Sequence, residues 1–276
     1  MWSWLLKWLF LVKEGCVGRV LGSDVRGVSG VSPSGVDSRD FYVSGSGSSG
    51  VVGSVDLRKF CSSVRDQGVI GSCASHAVIA AWEVLCRSAG VVVDASELFH
   101  YFVAREELGL EKKNVGMTLR HACSTLMKGG LSFEKFWPYD AGEFMVRPGW
   151  SAFWSAGLLQ RLERFCVKQY FLVDSFSDLV FWLGEGSPVV CGLRMFPGFL
   201  NAWGVPGLGL KDLSEGDVAR MNSFGGHGVL IVGYNKGTNE ILIRNSWGGA
   251  WGVGGYAWVS KDLFELCVFE MRTITI

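Results

Sequence analysis

The chain has 276 residues, enough for one large domain or two small ones. Its 26 basic side chains balance its 26 acidic ones, and no long charge run occurs. The basic face that nucleic-acid binding needs is therefore missing, and 49% apolar with 19% charged residues excludes a disordered chain. No stretch reaches the length of uninterrupted apolar residues that an ordinary membrane-spanning helix requires.

Residues 1–21 open the chain with an apolar segment. Trp4, Leu5, Trp8, Leu9 and Val12 fall at helical spacing, with Lys7 near the other face. Two readings stand side by side: a degenerate signal or anchor at a membrane surface, or a cap that docks on its own protein. Residues 22–54 contain 8 Gly and 10 Ser and no sustained periodicity, the composition of a flexible linker or a short pro-like segment. Within it, Gly45 to Gly50 matches a dinucleotide-binding glycine pattern, but no helix follows to receive a phosphate, so that reading is rejected.

From Val55 onward the texture becomes that of a folded domain, 55–276. Apolar spacing predicts helices over Ala74 to Cys86, around Leu98 to Arg105, around Leu119 to Met127 and around Phe176 to Leu183. Strands are expected at Val189 to Met195, Gly228 to Tyr234, Glu240 to Asn245 and Gly255 to Val259. Helices come first and strands last, which reads as α+β.

Three segments carry chemistry: Gln67 to Cys73, Gly225 to Gly228 and Arg244 to Gly249. Cys73 stands directly before a helical run, where the helix dipole and free N–H groups stabilise a thiolate. A thiolate attacks acyl carbons but needs a base. Of four histidines, His100 and His121 lie on predicted helices without loop context and read as structural. His227 follows two glycines and opens a predicted strand. His76, one turn after Cys73, is the rival base; its plainer reading is a core histidine packed under the helix. A Cys73–His76 metal site lacks two further ligands, and no metal or organic cofactor is expected.

These segments resemble the papain-like cysteine peptidases. The family's Q-x-x-x-G-S-C matches Gln67 to Cys73; its histidine before an apolar strand matches His227; its N-S-W-G matches Asn245 to Gly248, with Trp251-Gly252 and Gly255-Tyr256 after it. Trp137-Pro138-Tyr139 and Asn114-Val115-Gly116 are similar to weaker family segments. His227 and Asn245 follow Cys73 by 154 and 172 residues, against about 130–150 for the family, so modest insertions are expected. The resemblance implies a two-lobed fold, with a helical lobe, a β-barrel-like lobe and the site between them. It implies Cys73 as nucleophile, His227 as base, Asn245 as its orienter and Gln67 in the oxyanion hole. It also implies that Gly116, Gly226 and Trp247 line the substrate site, with Trp247 covering the His–Asn bond.

The chain departs from the family pattern at Ile70, where the family has a disulfide cysteine, at Ala74, where it has tryptophan, and at Val115. Those departures resemble a divergent microbial or viral branch. The missing disulfide cysteine leans towards an intracellular compartment. Cys86, Cys123 and Cys191 read as buried thiols, while Cys16, Cys61, Cys166 and Cys267 are left open. The expected partner is a peptide or protein substrate taken by a monomer, with thioester formation and hydrolysis. The alternatives are an inactive binding protein on the same fold, or an acyl transferase or ligase.

Overall fold

The computed structural model describes residues 30–38, 40–42, 53–110, 113–140, 167–209, 212–221 and 224–276. Helix α1, Cys73–Ser88, is its axis. The sequence CASHAVIAAWEVLCRS has no polar face, and 13 of its 16 residues are buried. A helix that is apolar all round must be covered on every side. Helices α2 (Glu97–Glu106) and α3 (Leu119–Met127) cover one side, and a large sheet covers the other. His100 ties the three helices together: Nδ1 lies 2.9 Å from Ser75 Oγ on α1, and Nε2 lies 3.0 Å from the Ala122 carbonyl on α3.

The sheet has eight strands. A two-residue strand, β1 (Val31–Ser32), lies outside it and pairs in parallel with β3 (Met117–Thr118). The sheet itself contains β2 (Val55–Asp56), β4 (Gln169–Leu172), β5 (Val189–Arg194), β6 (Gly207–Leu208), β7 (Gly226–Asn235), β8 (Glu240–Arg244), β9 (Tyr256–Ser260) and β10 (Val268–Thr275). Its order is β4-β10-β5-β7-β8-β9-β6, with β2 also on β7. Only the β6–β9 pair is parallel. β7 is buried almost throughout and packs on α1, which sets its first residues against the start of that helix. Helices α4 (Phe176–Gly184), α5 (Pro197–Leu200), α6 (Glu215–Arg220) and α7 (Lys261–Cys267) complete the described α-helices.

The expected helices and strands are all present and the fold is α+β, but β10 escaped the sequence reading. Its pattern is masked by Glu270 and Arg272 on successive positions of one strand face. Both are buried because they pair with each other, Arg272 Nε to Glu270 Oε1 at 2.6 Å. Within 22–54, read as a flexible linker or a short pro-like segment, residues 30–38 and 40–42 are docked on the domain, with Gly30 and Val31 buried. Residues 1–21, the glycine pattern at 45–50, Cys16 and Cys166 lie outside the described residues. Cys86, Cys123 and Cys191 are buried free thiols, and Cys61 and Cys267 are free as well. Among the described residues no helix is long and apolar enough to cross a membrane.

The turn between β8 and β9 depends on Gly252. It has φ of +57°, and a Cβ there would lie 2.2 Å from the Tyr256 carbonyl oxygen. Gly252→Ala is expected to cost about 2 kcal/mol or more, since left-handed strain and a backbone clash add. A fall in the urea midpoint at unchanged slope is the expected readout.

Candidate active site

Four chain segments converge at the N-terminus of α1. Cys73 is the helix's first residue and is fully buried. The loop before it is pinned by Asn114, whose Oδ1 accepts from Gly71 N–H at 2.8 Å and whose Nδ2 donates to the Val69 carbonyl at 2.9 Å. The thiol lies beside the backbone N–H of Gly228, the residue after His227 on β7, and beside the N–H groups of Cys73 and Ala74. His227 is fully buried; its Nε2 is 2.7 Å from Asn245 Oδ1. Asn245 Oδ1 also accepts from Ser246 N–H at 2.8 Å. An oxygen that takes two donors fixes the amide's orientation, and His227 Nε2 must carry the proton. Nδ1 is then the lone-pair nitrogen, and it has no hydrogen-bond partner among the described residues.

Gln67 is equally constrained. Its Oε1 accepts from Ser246 Oγ at 2.5 Å, its Nε2 donates to the Ile70 carbonyl at 2.8 Å, and its backbone N–H donates to the Ser246 carbonyl at 2.8 Å. One N–H of the side-chain amide is left over for a ligand beside Cys73. Trp247 stands against the His227 ring with centroids 4.7 Å apart, and Phe199 of α5 closes the other approach at 5.7 Å. Together they keep water from the His227–Asn245 bond, which strengthens it.

Burial sets the charge state of the pair. Desolvation pushes the Cys73 thiol up to about 11, although the three N–H groups pull the other way. Desolvation likewise lowers His227 to about 4, against the pull of Asn245 and with a small push from His76. At neutral pH the covered site therefore holds a neutral thiol and a neutral imidazole.

The cover is residues 30–38 and 40–42 of the same chain. Gly30 passes directly over the sulfur: a Cβ on it would lie 2.1 Å from Cys73 Sγ. Its carbonyl oxygen accepts from Met117 N–H at 2.9 Å. Gly116 lets this strand come close, since a Cβ there would lie 1.9 Å from Gly30 O. Val31 is buried, and its carbonyl oxygen backs onto Gly226. Further on, Ser34 donates from its N–H and its hydroxyl to the Glu270 carboxylate, both at 2.8 Å. Asp40 pairs with Arg120 and with Arg272, the latter at 3.0 Å. Burial raises the Asp40 carboxyl, but the two guanidiniums outweigh it and hold the group below its ordinary value.

The sequence-derived residues thus fall in one region: Cys73 beside Gly228, the residue after His227; His227 bonded to Asn245; Gln67 bonded to Ser246, the residue after Asn245; Gly116 and Gly226 against the docked strand; and Trp247 against the imidazole. His100 and His121 lie among the helices, His121 bonding the Ala104 carbonyl at 2.5 Å. Among the described residues no group of three His, Cys, Asp or Glu side chains converges as a metal cage. The sequence reading missed Ser246, Asn114 and Phe199 as braces of the site. Ser246 and Asn114 stand inside segments it had singled out; nothing marked Phe199 in its apolar run.

A family model described as papain family cysteine protease matches residues 213–276, the part that carries His227 and Asn245. In three dimensions the chain is similar to xylellain, a cysteine protease from Xylella fastidiosa, with a TM-score of 0.75 and 27% identity over 93% of this chain and 99% of that one. By fold the chain is papain-like, and in sequence it is similar to cysteine proteases of that family. A peptidase C1-like protein of Acanthamoeba polyphaga mimivirus is 27% identical over 220 residues, 74% of this chain and 68% of that protein. A cysteine protease of Blomia tropicalis is 26% identical over 204 residues, and the chain spans 57% of its length. Digestive procathepsin L 3 of Tenebrio molitor shares the fold, with a TM-score of 0.67 at 21% identity over 91% of this chain and 77% of that one.

If the papain-like pair works as one unit, Cys73→Ala and His227→Ala should each abolish Cys73-dependent turnover, and the double variant should be no worse than either. Measured additivity of the two losses would break that unit.

Proposed function

We propose that this peptidase cleaves peptide bonds through Cys73, His227 and Asn245, with Gln67 in the oxyanion hole, and that residues 30–42 hold it latent. The observation that supports the catalytic reading is the convergence of a helix-N-terminal thiol, an imidazole whose tautomer is fixed by Asn245, and a spare amide N–H on Gln67. His227 Nδ1 takes the thiol proton, and the sulfur attacks the substrate carbonyl carbon. The developing oxyanion is met by Gln67 Nε2 and the Cys73 N–H, donors of a kind whose single removal costs about 10²–10³ in rate. The C–N bond breaks, the amine leaves with the proton from His227, and a thioester remains. Water then gives its proton to His227 and its hydroxyl to the acyl carbon, and the thiolate leaves. The substrate is an extended peptide that adds a strand at Gly116, where β1 now lies.

Latency is supported by the same geometry. Gly30 fills the space above the sulfur, and its carbonyl oxygen is taken by Met117 N–H, so it is not offered to Gln67 as a scissile carbonyl. The strap covers the thiol and the imidazole and leaves both uncharged. Its anchor is the set Asp40, Arg120, Arg272 and Glu270, in which Arg272 and Glu270 are buried and losing a partner strands their charge.

A thiol-directed epoxide, read by intact mass and peptide mapping, should label Cys73 slowly in the full chain and at least about tenfold faster in Gly30→Leu, Asp40→Asn or a chain beginning at Gly53. Equal rates would remove the latency reading, and labelling elsewhere than Cys73 would remove the nucleophile assignment. Because burial raises the thiol, uncovering it should move the rise in labelling rate to lower pH. Because Asp40 is held low, the strap should stay docked through mildly acidic pH and loosen only as pH falls through that lowered value.

A further inference from the structure

His76 sits one helical turn after Cys73 and takes no direct part in the proton transfers above, yet it is fully desolvated and wired to both sides of the site. Its Nδ1 is 3.1 Å from the Ser72 carbonyl oxygen and 3.3 Å from Ser72 Oγ. A carbonyl oxygen only accepts, so Nδ1 carries the hydrogen and Nε2 holds a lone pair. Burial lowers His76 to about 3, which keeps the ring neutral and Nε2 an acceptor.

The rest of the chain of bonds runs in one direction. Tyr139 Oη donates to the Gln67 carbonyl at 2.9 Å. With its proton committed there, Tyr139 must accept from Ser72 Oγ at 2.7 Å. Ser72 is the N-cap residue of α1 and makes no side-chain cap, because its hydroxyl is used in this chain. His76 is thereby connected to the backbone of Gln67.

On its other side His76 lines a small cavity shared with Asn245, Ser246, Arg65, Glu97 and Arg244, with about 10 Å³ of space for the centre of a water molecule. That is about the room one water needs. Two buried polar atoms of its lining residues have no hydrogen-bond partner among the described residues: His76 Nε2, an acceptor, and Asn245 Nδ2, a donor. One water in that space would satisfy both, accepting from Asn245 and donating to His76. A buried amide N–H without a partner is costly, so a polar pocket of this size with matched donor and acceptor is a water site.

We infer that His76 is a positioning residue for the triad, holding one buried water that takes the Nδ2–H of Asn245 and so links the orienter of His227, through Ser72 and Tyr139, to the loop of Gln67. The inference rests on the catalytic reading above. It gives His76 a task that its place as a core histidine does not require: the Asn245 amide is held at both ends, by Ser246 N–H on Oδ1 and by the water on Nδ2.

The test uses the full chain. A crystal structure resolving ordered water should show one within hydrogen-bond distance of both Asn245 Nδ2 and His76 Nε2, and its absence from the native protein would overturn the inference. In parallel, Cys73 alkylation by iodoacetamide reads the thiol–imidazole pair without any peptide cleavage. It is measured in the full chain carrying Gly30→Leu, so that the docked strand does not limit access, and the His76 and Asn245 variants are made in that background. His76→Leu should slow it about fivefold, as expected for one lost buried hydrogen-bond link. His76→Gln, which keeps an acceptor, should remain within about twofold of the rate with His76 in place. In an Asn245→Ala background, His76→Leu should change the rate less than about twofold, because the link it breaks is already gone. A full fivefold loss in that background, or His76→Gln as slow as His76→Leu, would make the residue merely structural. Failure of the peptidase reading looks different: in the Gly30→Leu chain Cys73 alkylates normally while no peptide is cut.

Discussion

The burial of α1 between a helical layer and the sheet is the constraint on which the site depends. A 16-residue helix with no polar face must be enclosed. Enclosing it puts β7 against its first turn, and that contact sets the thiol of Cys73 beside the N–H of Gly228 and hence beside His227. Nothing about Cys73 and His227 taken singly brings them together across 154 residues; the shared core does. The loop of Gln67 then has little freedom. Its backbone and side chain both bond Ser246, directly after Asn245, so the Gln67 amide and the amide that holds the imidazole are braced by one residue.

The same burial has an electrostatic consequence. A thiol at a helix N-terminus is in a place that favours the thiolate, yet here desolvation wins and the thiol is pushed up to about 11. The strap over the sulfur contributes to that burial, since Gly30 leaves no room above Sγ. Its hold on the domain is polar: Ser34 and Asp40 engage Glu270, Arg120 and Arg272. The charges of β10 that hid the strand from its apolar pattern are the ones that anchor the strap.

Much of the site could be read from residue order. Cys73 before a helical run, His227 before an apolar strand and Asn245 in N-S-W-G were each marked by local chemistry or by resemblance, and the apolar periodicities located the main helices and the central strands. β10 was not legible, because Glu270 and Arg272 look solvent-facing until their pairing is known. Nor was the docking of residues 30–42: a Gly/Ser-rich composition describes what a chain does when nothing holds it, whereas Gly30 is selected by the lack of space above Cys73 Sγ.

The sequence by itself determined which candidate groups the chain carries, because the thiol of Cys73, the imidazole of His227 and the amides of Asn245 and Gln67 are fixed by side-chain type and by the helix and strand starts near which they stand. Only the tertiary structure decided whether those groups are open to a substrate and what holds them in register. The covering strand, the anchor on β10 and the His76–Ser72–Tyr139–Gln67 chain all join residues distant in sequence. Their hydrogen-bond directions follow from which donors and acceptors burial leaves without water, a property of the packed core that residue order does not encode locally.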